Sequence, residues 1–132
     1  MSSPQDHLEQ AEHNKTVADR VREDYPDWAV TIYFYAALHW VERYAKLNGC
    51  DIESEYPDGR SLHECRKMYL DDVAYKLRNK KLRQFYEDLE KESRKARYLQ
   101  GLNISAKKHY TQNKLVVTNS KQNFQKVKQL LQ

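Results

Sequence analysis

The apolar residues of this chain cluster and recur at helical spacing, three and four positions apart, so the pattern predicts a succession of amphipathic helices. A first helix is expected from Pro4 to about Glu23, opened by Ser3 as cap, Pro4 at the first helical position and Asp6 at the positive end of the dipole. Its stripe of Leu8, Ala11, Val17, Ala18 and Val21 is thin, which suits a helix on the outside of a bundle or one that frays at its start. Tyr25-Pro26-Asp27 interrupts the chain and opens a second helix, running to Asn48 and stopped by Gly49.

The second helix is apolar on most sides, through Trp28, Val30, Ile32, Tyr33, Phe34, Ala36, Ala37, Leu38, Trp40, Val41, Tyr44 and Leu47. Its polar residues Thr31, Tyr35, His39, Glu42, Arg43 and Lys46 fall within one arc of about 120°. Such a helix is central to a core or to an oligomer interface, and its apolar perimeter leads us to expect a homodimer. The polar residues also make a membrane span implausible.

Residues 50–60 form an acidic stretch with turn chemistry at Pro57-Asp58-Gly59, expected to be a loop. Ser61-Leu62-His63-Glu64 is a capping box that starts a third helix, whose face uses Leu62, Cys65, Tyr69 and Val73. The pattern loosens over Leu77 to Lys81, which predicts a kink or break. A fourth helix follows to Gln100, with Leu82, Phe85, Tyr86, Leu89, Ser93, Ala96 and Leu99 on one face and Gly101 as terminator. Residues 102–118 read as a polar, irregular loop in which Lys114 to Thr118 suits a short extended segment. A last helix is expected over about 120–131, using Phe124, Val127, Leu130 and Leu131. The prediction is a single all-α domain spanning 1–132, an antiparallel bundle of four to five helices with its core over about 4–100.

Composition agrees with that picture. Three Gly and three Pro in 132 residues favour long helices over many short strands, and 39% hydrophobic residues allow a core. Cys50 and Cys65 form no CxxC pair, and no apolar leader precedes the first helix, so a reduced, cytoplasmic setting is expected. Charge changes the picture more. Residues 1–60 hold six Lys/Arg against twelve Asp/Glu, whereas residues 61–132 hold seventeen against seven, so the overall +4 conceals halves of −6 and +10. The basic half points to an anionic partner, to pairing with the acidic half, or to ordinary solvated lysine faces.

Chemistry concentrates at the start of the third helix. His63 suits proton transfer, and Arg66, three positions on, suits holding a phosphate or a developing negative charge beside free helix amides. Solvent exposure of both is the plainer reading. His39, on the polar arc of the second helix, is either a hydrogen-bonded core histidine or an inward-facing member of the same site. Arg94 and Arg97 share a face at the end of the fourth helix. Intrahelical salt bridges explain them simply, and their grouping with Lys107 and Lys108 also makes a surface for nucleic-acid phosphates. No metal-ligand spacing, Gly-rich phosphate loop or hydrolase elbow occurs, so neither metal nor cofactor is expected.

The runs Tyr25-Pro26-Asp27-Trp28-Ala29-Val30-Thr31, Phe34-Tyr35-Ala36-Ala37-Leu38-His39, His63-Glu64-Cys65-Arg66, Tyr86-Glu87-Asp88-Leu89 and Ser93-Arg94-Lys95-Ala96-Arg97-Tyr98 together resemble small prokaryotic proteins of the HEPN class, over about residues 25–100. The resemblance implies a four- or five-helix bundle, usually a homodimer. The class includes metal-independent ribonuclease toxins and proteins paired with minimal nucleotidyltransferases, which makes RNA, a nucleotide or such a protein the expected partner. Its ribonucleases carry an Arg, four to six intervening residues and a His. Here Arg60 precedes His63 by three, Arg97 precedes His109 by twelve, and the local pair is inverted, His63 before Arg66. The expectation is therefore a binding or accessory module, with a ribonuclease using His63 and Arg66 as the alternative and a structural or toxin–antitoxin interaction subunit as a third reading.

Overall fold

A computed structural model describes residues 2–132 and is helical throughout, with α1 (Pro4–Val21), α2 (Pro26–Leu47), α3 (Ile52–Glu55), α4 (Leu62–Lys76), α5 (Leu82–Tyr98), α6 (Ala106–Gln112) and α7 (Lys114–Leu131) among the described residues. The all-helical bundle expected from the apolar pattern is present, with two more helices than predicted.

Helix α2 is the centre, packed by α1, α5, α7 and the short α6. Ala29, Val30, Tyr33, Phe34, Ala36, Ala37 and Val41 lose all contact with solvent. Its apolar perimeter is thus covered from within one chain, and its only large exposed apolar side chains, Trp28 and Leu47, sit at its two ends. The expectation of a homodimer loses its argument here, because no unclad face of α2 is left over.

α1 lies along α2 on the outside of the bundle, as its thin apolar stripe predicts, and its start is capped rather than frayed. Ser3 and Asp6 form a reciprocal capping box, and Ala11 and Ala18 are fully buried, small enough to let α1 lie close along α2. Tyr33 of α2 donates its hydroxyl to Asp19 of α1, and Lys15 and Lys121 flank the same carboxylate at 2.8 and 3.1 Å. Burial raises the Asp19 pKa, but the three hydrogen bonds outweigh it and bring the group down to about 2. α2 stops at Gly49, whose φ of 68° lets the Cys50 N–H turn back to the Ala45 carbonyl at 2.9 Å.

Three segments depart from the sequence reading. The stretch 50–60 holds the one-turn helix α3, capped by Asp51, rather than an open loop. α4 is capped by Ser61 Oγ, which accepts from the Glu64 N–H at 3.2 Å, without a bond back from the Glu64 carboxylate among the described residues. The segment 102–118 is mostly helix. Ser105 caps α6, and Asn113 alone separates it from α7, which begins at Lys114 rather than near Ser120. The β-branched run Val116-Val117-Thr118 suggested extended chain, but Val117 packs into the core as part of a helical face with Ser120, Phe124 and Val127. Burial outweighed a weak local propensity there. The break over 77–81 is present, with α4 ending at Lys76 and α5 starting at Leu82, and α5 ends in Leu99 with a left-handed φ of 57° rather than at Gly101.

Candidate functional site

Helices α2, α4 and α5 meet around His63. Helix-length spacing puts Tyr35, His39 and Glu42 on one side of α2, one turn apart. α4 contributes His63, Arg66 and Lys67 from its first two turns, and α5 contributes Tyr86, Glu90, Arg94 and Arg97 along one face. α4 and α5 run antiparallel, locked by Lys67 donating to Glu90 at 2.9 Å and Arg83 to Asp71 at 2.9 Å.

His63 is partly exposed and rests on the ring of Phe34, with centroids 5.8 Å apart. Its buried Nδ1 faces Glu90 Oε2 at 3.9 Å, too far for a hydrogen bond, and neither atom has another hydrogen-bond partner among the described residues. The hydroxyl of Tyr86, a residue with no exposed surface, is likewise without a partner. Burial lowers the His63 pKa, and the charges of Arg66, Arg94 and Arg97 lower it further against the pull of Glu90. The ring is therefore held in its neutral form, the form that accepts a proton.

Arg66 does not extend beside His63 to hold an anion, as its spacing suggested. It is 8% exposed, and its Nε donates to Glu42 Oε1 at 2.7 Å across α2 and α4. Its charge is committed to the fold. Arg94 and Arg97 depart from expectation in the other direction, since neither makes an ion pair along α5 among the described residues. Arg97 bonds Ser93 Oγ at 3.0 Å and Tyr35 Oη at 2.9 Å, and its guanidinium lies 4.8 Å from the centre of the Tyr98 ring. Glu90, which would have served as an intrahelical partner, instead turns to Lys67.

His39 does not pair with His63. It meets His7 of α1, Nδ1 to Nδ1, at 2.9 Å. The centroid separation of 5.2 Å is close to that contact plus one ring radius at each end, so the two nitrogens point head-on. That is the geometry of one shared proton, not of two lone pairs converging on a metal. No group of three or more His, Cys, Asp or Glu is placed to hold a metal among the described residues. Lys107 of α6 lies over the exposed Tyr25 ring at 5.5 Å, and Lys108 beside it is exposed. Sequence reasoning gave no site role to His7, Glu42, Lys67, Tyr86 or Glu90, although Glu90 lies one turn from Tyr86 on the buried face of α5.

Among the described residues no helix is long and apolar enough to cross a membrane. No protein-family model matches the chain, nor does any curated protein or solved structure.

Proposed function

We propose that the chain is a HEPN-like helical module that binds the phosphates of a nucleic acid along the α5 edge beside His63. One observation carries this reading. The charges of Arg66, Arg94 and Arg97 all reach His63, while the carboxylates facing them, Glu42 and Glu90, are already taken by Arg66 and Lys67. Arg94 and Arg97 are the surplus. Two cations in no ion pair among the described residues, beside a neutral histidine, favour a bound anion, and the +10 balance of residues 61–132 favours a polyanion. His39 is taken up by His7, and Lys107 and Lys108 add positive charge on α6.

Fluorescence anisotropy with a labelled single-stranded RNA tests the reading. Arg94→Glu with Arg97→Glu should weaken binding at least tenfold at about 50 mM salt, and should lower the slope of log Kd against log salt by about 1.4, two phosphate contacts on a single strand. Binding unchanged by both substitutions would sink it.

A second reading, a metal-independent ribonuclease, draws support from the neutral His63 with Glu90 behind it, an arrangement suited to taking a 2′-hydroxyl proton. The charge of the phosphorane would then fall to Arg94 or Arg97, since Arg66 is committed to Glu42. RNA cleavage in EDTA that disappears in His63→Ala, with helicity intact, would establish the enzyme. A homodimer and a nucleotidyltransferase-type partner rest on the resemblance alone, and the large exposed apolar side chains sit at helix ends and in connections.

A further inference from the structure

Where α2 begins and α5 ends, Asp27, Trp28, Thr31, Ala96 and Arg97 enclose a cavity of about 170 Å³. Trp28 is 56% exposed, whereas the chain's other tryptophan, Trp40, is 4% exposed. A large ring left in water on a helix otherwise clad on its apolar sides is not explained by the core. Tyr98, 64% exposed, lies against Arg97, whose guanidinium covers its ring. Arg97 spends Nε and Nη1 on Ser93, Tyr35 and Tyr98, and its Nη2 makes no hydrogen bond among the described residues. The Asp27 carboxylate, too, is without an ion pair or side-chain hydrogen bond among them, although Asp27 lines the cavity. Thr31 closes the floor and points its hydroxyl to the Asp27 carbonyl at 3.1 Å.

We propose that this cavity is a nucleobase pocket, and that it takes an unpaired guanine of single-stranded RNA. The space suits one flat heterocycle. Trp28 supplies a stacking face, which any base accepts. Asp27 supplies the choice. Guanine presents two parallel donors, N1–H and the N2 amino group, and a carboxylate accepts both at once. Adenine and cytosine each present a single amino donor beside a ring-nitrogen acceptor, and uracil a single N–H between two carbonyls, so each would set a lone pair against Asp27. Arg97 lies at the pocket and at the phosphate-binding edge together, so a base stacked on Trp28 would leave its own phosphate near Arg97 and the next along α5 near Arg94. This inference rests on the nucleic-acid reading above and adds the strand type and the base.

Trp40 is buried, so quenching of tryptophan emission by a ligand reports on Trp28. The probes are GMP, AMP, CMP and UMP, a decamer of uridine, and the same decamer with one central guanosine, with anisotropy of the labelled decamers read in parallel. Quenching should favour GMP over AMP, and the guanosine decamer over all-uridine, by at least about tenfold, as a bidentate base contact gives. Asp27→Asn should remove that preference while binding persists, and Trp28→Ala should remove the quenching. If RNA binds with a salt dependence that Arg94→Glu relieves, but Trp28 emission is silent or equal for every base, the pocket is wrong and the phosphate edge stands. If no decamer binds at all, the nucleic-acid reading falls. In that case, quenching by GMP alone would overturn the RNA assignment in favour of a free nucleotide. Sedimentation of a dimer that Trp28→Ala converts to monomer would assign the ring to a contact between copies and overturn the proposal.

Discussion

Arginines from two helices surround His63, and their surroundings differ in one respect that decides what each can do. Arg66 reaches inward from α4 and finds Glu42 waiting on α2, so its positive charge is cancelled where it lies. Arg94 and Arg97 lie one turn apart on α5 with hydroxyls and aromatic rings about Arg97 and no carboxylate in an ion pair with either among the described residues. An arginine held by a carboxylate is a part of the fold. One held by a tyrosine keeps its charge for something else.

The largest expected effect tests that contrast on stability. Arg66→Ala would leave Glu42 mostly buried without its cation, a change that costs about 3–5 kcal/mol where a paired charge is orphaned. Replacing both partners, Arg66→Met with Glu42→Leu, should restore most of the loss in urea unfolding. Arg94→Ala and Arg97→Ala should each stay within about 1 kcal/mol. An Arg97→Ala variant as unstable as Arg66→Ala would erase the distinction between the two groups.

Acid should act on the histidines before it touches the arginine pair. Burial lowers the pKa of His7 and His39, and each also feels the positive charge of Arg66, while Glu42 pulls both the other way and Asp6 and Lys46 pull His7 in opposite directions. The unfolded chain therefore takes up protons first. Stability is complete above the unfolded value of about 6.5 and falls as pH drops from there toward the lowered folded values. The head-on Nδ1 contact sharpens the loss, since it has room for one proton and not two. Thermal melts from about pH 7 to pH 5 should show the fall, and His39→Gln should flatten it. A melt equally acid-sensitive in that variant would move the effect to His63, whose pKa is lowered as well.

The smallest effect concerns Tyr86. Its hydroxyl is wholly buried and without a partner among the described residues, so Tyr86→Phe should be neutral or gain up to about 1 kcal/mol. A loss of stability would mean the hydroxyl is satisfied by an ordered water, and that the interior beside Glu90 is wetter than the apolar contacts suggest.

Much of this architecture was legible in the apolar spacing alone. α2, the start of α4 at Ser61, the break after Lys76 and the buried face of α5 follow from periodicity and capping. α6 did not follow, because Ala106 and Tyr110 are its only buried residues and two positions make no periodic signal. For the site, His63, Arg94 and Arg97 stood out as residue types at plausible places. What sequence spacing could not supply was their partners. Glu42 meets Arg66 from 24 residues away and His7 meets His39 from 32, distances at which only the packing of helices decides who faces whom.

The ties between α1 and α7 have a consequence for how the chain comes to be folded. Asp19 pairs with Lys121 and Arg22 with Thr118, so the two helices run antiparallel through contacts that span 96 residues in the second case. On a ribosome, α1 and α2 emerge as a hairpin long before α7 exists, and the Tyr33 face that Phe124 will cover stays bare in the meantime. Synthesis at roughly 5–20 residues per second leaves that face exposed for several seconds. Nascent chains of this protein should therefore be clients of holding chaperones until α7 clears the exit tunnel.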